Sequence, residues 1–208
     1  MWHWLSQNTA VLSLAVSIAM LIVWVVYLQL LLNGYRRQRS SSILISRGAG
    51  HGIRSRCLIT SMSAEPLYVT SIVATLVTAE KSYEYALTDL RDLPEDLGAD
   101  PRSSMRQGSL STGEYLDIGH FDEFVAQLAE TDPELCRLNS WTDAVTAIEL
   151  TVVALYGSDR LPVGASRRFS FVKMDTGGLR IRPDTLWTRQ LHTRHQRRQL
   201  VRKLAEHL

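Results

Sequence analysis

Arg56 to Val77 reads RCLITSMSAEPLYVTSIVATLV, and this stretch sets the fold class. Two runs rich in Val, Ile, Thr and Tyr, Arg56 to Met62 and Leu67 to Val77, flank a Ser-Ala-Glu-Pro turn. Branched and aromatic side chains suit a pleated, half-buried surface, and the polar turn with Pro marks a strand connection. Working outward, Ser82 to Thr88 alternates Tyr83, Tyr85 and Leu87 against Ser82, Glu84 and Thr88. Glu114 to Ile118, Val145 to Tyr156 and Arg168 to Met174 add three more strand patterns, with Ser42 to Ile45 and Leu179 to Ile181 as short candidates. In Val145 to Tyr156, the residues Ile148, Leu150, Val152, Ala154 and Tyr156 recur at period two, the mark of a strand with one buried face. Six to eight such strands with few helical crossovers predict a mainly β chain, two antiparallel sheets packed as a sandwich.

The chain also carries a segment of another kind. Val11 to Leu32 is a charge-free run interrupted only by Ser13, Ser17 and Gln29, and as a helix it would extend about 33 Å. That length crosses a bilayer and exceeds the apolar core of about 7–15 residues in a signal peptide. No Lys or Arg precedes it, and Leu-Leu-Asn-Gly-Tyr follows instead of a small-residue cleavage pattern. The reading is an uncleaved anchor; a buried core helix is the alternative. Arg36, Arg37 and Arg39 come directly after the run, so the positive-inside rule places the N-terminus outside and the rest in the cytoplasm. Trp2, Trp4 and Tyr35 suit the interfacial belts, while Trp24 and Tyr27 lie deeper. Ser13 and Ser17, and likewise Ala15 and Ala19, are four apart, a spacing of small residues that lets membrane helices approach.

The organisation expected is therefore residues 1–35 as N-terminal segment and anchor, 36–56 as a basic linker, 57–182 as the sandwich and 183–208 as a basic helix. Within the sandwich, Asp89 to Thr112 reads as a long loop bearing Pro94 and Pro101. Phe121 to Glu130 spaces Phe121, Phe124, Val125 and Leu128 as a short amphipathic helix. Asp132 and Pro133 look like the cap and first residue of another helical turn. Pro183-Asp184 reads as the opening of the terminal helix from about Thr185, with Leu200, Val201, Leu204 and Leu208 as its stripe.

Charge sharpens this division. The net charge of +2 over 208 residues hides local balances of +6 for residues 36–60, −12 for 61–160 and +8 for 161–208. Twenty of the 23 basic residues are Arg, a bias that fits a GC-rich bacterial genome. Gly48-Ala49-Gly50-His51-Gly52, flanked by Arg47, Arg54 and Arg56, invites a phosphate-binding reading. It lacks the strand-to-helix setting of a dinucleotide fingerprint and the Gly-Lys-Ser/Thr of a P-loop, so a flexible basic turn joining anchor to sandwich is favoured. Arg36, Arg37, Arg39, Arg47, Arg54 and Arg56 remain the candidate contacts for an anion or headgroup beside the membrane. His192 and His195 are three apart without a third ligand, so neither metal nor cofactor is assigned. Cys57 and Cys136 form no C-x-x-C and are expected reduced, Cys57 as a buried apolar side chain. No G-x-S-x-G, H-E-x-x-H or kinase signature is present, and no catalytic residue is assigned.

The tail HTRHQRRQLVRKLAEHL offers Trp187 just before it and Arg194, Arg198, Arg202 and Lys203 within it. Docking on protein, either the acidic domain of the same chain or a partner, ranks first. The anionic leaflet ranks second, and nucleic acid is a distant third because one aromatic gives little stacking.

Residues 4–69, from WLSQNTAVLS to MSAEPLYV, resemble the opening of uncharacterised bacterial single-span membrane proteins, through Trp24, Tyr27, Arg36, Arg37, Arg47 and Gly48. The resemblance implies a membrane anchor and no particular activity. SMSAEPLYVTSIVATLV is similar to the hairpin of immunoglobulin-like sandwiches, which implies architecture only. The paired Cys and Trp of true immunoglobulin domains are not matched, since Trp141 follows both cysteines. Together these features lead to the expectation of a non-enzymatic interaction or accessory subunit in the bacterial inner membrane. Its partners would be the bilayer and a protein or a second copy of the chain. The alternative is a membrane-bound enzyme or regulator that binds an anionic ligand or lipid headgroup at the basic turn.

Overall fold

The computed structural model describes residues 9–38, 41–48, 50, 52–88, 100–131, 141–157, 159, 161–174 and 178–206. The chain divides into two compact units, Met1–Ser40 and Ser41–Leu208. The first unit is a helix, α1 (Thr9–Gln38). Within it Thr9–Gly34 has a mean hydropathy of 2.6 and an apolar window with nothing buried. Those 26 residues extend about 39 Å at 1.5 Å per residue, so the helix is long and apolar enough to cross a bilayer. Trp24 and Tyr27 meet edge to face at 6.2 Å. Ser17 Oγ donates to the Ser13 carbonyl at 2.9 Å, so that pair satisfies itself within the helix. Ala15 and Ala19 sit two residues on, about 200° around the axis. The four small residues therefore form two faces, not one stripe. Arg36 and Arg37 fall in the last turn of α1, whereas Arg39 and the N-terminal Trp2 and Trp4 lie outside the described residues.

The second unit is mainly β and its sheets are antiparallel. A three-stranded sheet has the order β1 (Ile43–Arg47), β2 (Arg56–Ser61), β6 (Tyr115–His120). A seven-stranded sheet is built on three long strands, β3 (Leu67–Thr78), β7 (Val145–Tyr156) and β8 (Val163–Lys173), with β7 in the middle. Its two flanks are each shared by two short strands. β5 (Gly108–Leu110) pairs with the first part of β3 and β4 (Ser82–Ala86) with the second. On the other flank β10 (Arg189–Leu191) pairs with the start of β8 and β9 (Leu179–Pro183) with its end.

Period-two burial follows from this packing. Ile43, Ile45, Cys57, Ile59, Leu116 and Ile118 from the small sheet join Ile72, Ile148, Leu150, Val152 and Phe169 from the large one in a single core. Helix α3 (Phe121–Thr131) adds Phe124, Val125 and Leu128. The Phe121 ring packs at a tilt against Phe169 at 5.0 Å and Phe124 at 5.1 Å, which ties helix to sheet. Pro101–Met105 forms a short helix, α2, and Trp141–Ala144 another, α4.

Three sequence expectations change. The interval Asp89 to Thr112, read as loop, contains α2 and β5; residues 89–99 lie outside the description, as do Asp132, Pro133 and Cys136. β8 begins five residues before Arg168, at Val163, because Val163 and Ala165 are buried opposite Ala154 and Val152 of β7. The terminal helix, α5 (Arg194–Glu206), begins far beyond Thr185. Residues 188–191 are held by β8 and β1 instead, and the helix starts where Thr193 and Gln196 form a reciprocal cap.

α5 lies on the outer face of the large sheet. Leu200 is 2% exposed, and a Cβ placed on Gly164 would stand 2.5 Å from Leu200 Cδ1 and 3.0 Å from the Val152 carbonyl oxygen. Gly164 is therefore the floor on which the helix rests. Gly164→Ala in the full chain is expected to cost about 1–3 kcal/mol through overpacking, read as a lower thermal midpoint in mild detergent; an unchanged midpoint would show that α5 is not seated there.

Candidate functional site

The glycine turn joins β1 to β2 as a hairpin within the second unit. Gly48 N–H donates to the Arg56 carbonyl at 2.7 Å, closing the hairpin. Ser55, fully buried, donates to the Gly52 carbonyl at 2.8 Å. Gly52 adopts φ +68° and its missing Cβ would stand 2.9 Å from the Leu179 carbonyl oxygen, so only glycine lets this turn pack on β9. The described residues of the turn thus bond to one another and stand against β9.

Its three arginines part company. Arg56 is hydrogen-bonded and ion-paired to Asp117 on β6, a contact that raises its pKa. Arg54, largely exposed, stands 3.7 Å from Asp122 at the start of α3. Arg47 turns the other way and donates from Nη1 to the Ile181 carbonyl at 3.3 Å. There it lines a cleft of about 300 Å³ with Arg180, Arg182, Val172, Ile181 and Pro183. Arg180 and Arg182 are alternate residues of β9, both exposed, with Ile181 between them buried in the core. The register sets Val172 opposite Arg180 and Ser170 opposite Arg182. Asp184, the acid next along the chain, accepts from Ser170 at 2.6 Å and pairs with Arg168 at 3.3 Å. Among the described residues, Arg47, Arg180 and Arg182 have no acidic partner. The sequence reading singled out Arg47 but neither Arg180 nor Arg182, whose Arg-x-Arg spacing on a short strand was the available signal.

A second feature adjoins β9. The loop after Pro183 carries Leu186 and Trp187 at 85% and 72% exposure. It is held from beneath by Arg167 on β8, 8% exposed, which donates to the carbonyls of Thr185 at 2.8 Å, Leu186 at 3.2 Å and Ile45 at 2.5 Å. The guanidinium also lies 5.6 Å over the Phe169 ring. Burial lowers the pKa of Arg167 from its ordinary value. Thr185 Oγ1 closes the loop on the Trp187 carbonyl at 2.7 Å.

The remaining candidates spread over α5. Lys203 pairs with Glu84 of β4 at 2.6 Å. Arg197 donates to the Pro162 carbonyl at 2.8 Å and pairs with Asp159 at 2.9 Å. Arg194, Arg198 and Arg202 are exposed and recur every four residues, away from the docked face. No group of three His, Cys, Asp or Glu among the described residues is placed to hold a metal ion. Cys57 is a free, fully buried thiol. Desolvation first, and Asp117 second, push its pKa up.

Comparison with protein-family models, with curated proteins and with solved structures finds no match to this chain. The geometry of the domain itself is therefore the basis for any functional reading.

Two outcomes follow from the buried groups. Arg167→Met would take the donor from the Thr185 and Leu186 carbonyls and leave the Ile45 carbonyl with Thr188 Oγ1 at 3.4 Å, so a loss of roughly 2–4 kcal/mol is expected by chemical denaturation, with faster hydrogen exchange at residues 185–188. Unchanged exchange would mean that another group holds the loop. Because folding raises the Cys57 pKa, its contribution to stability is complete below the ordinary thiol value near 9 and declines as pH rises above it. The thermal midpoint of the full chain should thus fall more steeply above that pH than that of Cys57→Ala, and equal slopes would refute the assignment.

Proposed function

We propose that this chain is a single-pass membrane protein of the bacterial inner membrane, a non-enzymatic interaction subunit that presents its β domain to a protein partner. Thr9–Gly34 serves as the anchor, supported by its length and hydropathy. Arg36, Arg37 and Arg39 after it, with no Lys or Arg before it, support an external N-terminus and a cytoplasmic domain under the positive-inside rule. The two sheets and their common core support reading the domain as an immunoglobulin-like sandwich.

The observation that carries the partner reading is the Leu186–Trp187 tip. Two large apolar side chains at that exposure lose contact with water on docking, and Trp is the residue type most often found at the energetic centre of an interface. The backbone beneath them is pinned by Arg167, so little loop entropy is lost on binding. The first experiment is photo-crosslinking in native membranes from a reactive residue at position 187. One discrete protein adduct is expected, with its yield reduced about fivefold by Leu186→Ser. Adducts with lipid only would overturn the protein-partner reading, and a reporter fused after Leu208 that is active only outside the cytoplasm would overturn the orientation.

A further inference from the structure

Several arginines of the β domain are already engaged, Arg197 by Asp159 and Arg167 by backbone carbonyls. Arg54, Arg56, Arg102 and Arg168 each face a carboxylate within ion-pair distance. Arg47, Arg180 and Arg182 are among the residues that line one cleft of about 300 Å³, and they meet no acid among the described residues. Three like charges repel one another, and the arrangement becomes favourable when an anion enters. The positions are structurally fixed. Arg180 and Arg182 sit on a strand paired residue by residue to β8, and Arg47 is tethered to the β9 backbone through Ile181. One N–H of Arg47 is used in that tether, which leaves its other donors for a ligand.

We propose that this cleft binds a phosphate-bearing ligand. The guanidiniums of Arg47, Arg180 and Arg182 take the phosphate oxygens, for which their planar donor fork is suited. Val172, Ile181 and Pro183 supply an apolar wall for the part of the ligand next to the phosphate. Val172 is 47% exposed, so covering it favours a ligand with some apolar surface. Two sources share this chemistry, a phospholipid headgroup with its first acyl carbons and a free organic phosphate. The lining of the cleft does not include Leu186 or Trp187, so the proposal does not rest on a protein partner docking there.

The test uses the full chain in dodecyl maltoside, titrated calorimetrically with dihexanoyl phosphatidic acid and, separately, with glycerol 3-phosphate. Saturable binding to one site is expected, weakened at least about tenfold by the double variant Arg180→Gln/Arg182→Gln. Arg194→Gln/Arg198→Gln, which removes the same charge from α5, should stay within about twofold of the unaltered chain if the effect is local and not one of net charge. Melting curves confirm that both variants fold. Binding confined to the lipid analogue identifies a headgroup site, and comparable binding of glycerol 3-phosphate identifies a free phosphate; both support the cleft. Binding of neither probe would overturn the proposal, as would unaltered affinity in the β9 variant or an equal loss in the α5 control.

Discussion

The outer edge of β1 is the constraint on which the domain depends. β1 has one strand partner, β2, and its other edge is part of the inward side of the fold, where backbone groups without partners are costly. Side chains meet that edge in place of a strand. The amide of Gln190 accepts from Ile43 N–H at 3.1 Å and donates to its carbonyl at 2.6 Å, and Thr188 Oγ1 accepts from Ile45 N–H at 2.9 Å. Arg167 reaches the Ile45 carbonyl from the neighbouring sheet. The small and large sheets are thereby stitched along one seam, and a strand edge that could pair with another chain is closed.

The same seam explains the loop beside it. Thr188 and Gln190 must point at β1, and β10 must register with β8 at Gly164 to Ser166. The residues between β9 and β10 are then stretched over Arg167, which takes the Thr185 and Leu186 carbonyls inward and leaves their neighbouring side chains outside. Leu186 and Trp187 are exposed as a consequence of where their backbone is held. On the opposite side of β9, the core position of Ile181 sends Arg180 and Arg182 outward together, since alternate residues of a strand share a face.

Much of the fold was legible because its signals are local. The long strands β3 and β7 and helix α3 carry periodic apolar patterns that need no distant partner to be recognised, and Val145–Tyr156 begins and ends where its pattern does. The misread parts are those whose conformation is imposed from elsewhere. Residues 188–191 lack strand character in isolation, and Pro183-Asp184 looks like a helix opening. They form strand and loop because β8 offers a pairing edge and β1 needs donors and acceptors. β5, three residues long, was invisible for the same reason. The glycine turn was legible, but the close approach of Gly52 to the Leu179 carbonyl, more than a hundred residues later, was not.

By itself the sequence determined the apolar helix, the predominance of antiparallel strands and the uneven charge, because hydropathy, side-chain branching and local periodicity are properties of neighbouring residues. Only the tertiary structure decided which arginines are neutralised and which are left facing a cleft. Asp117 and Asp122 come within reach of Arg56 and Arg54 through the pairing of β2 with β6 and the start of α3, while Arg47 is carried to β9. Charge pairing depends on distances of a few ångströms between residues far apart in the chain, and those distances exist only once the strands are in register.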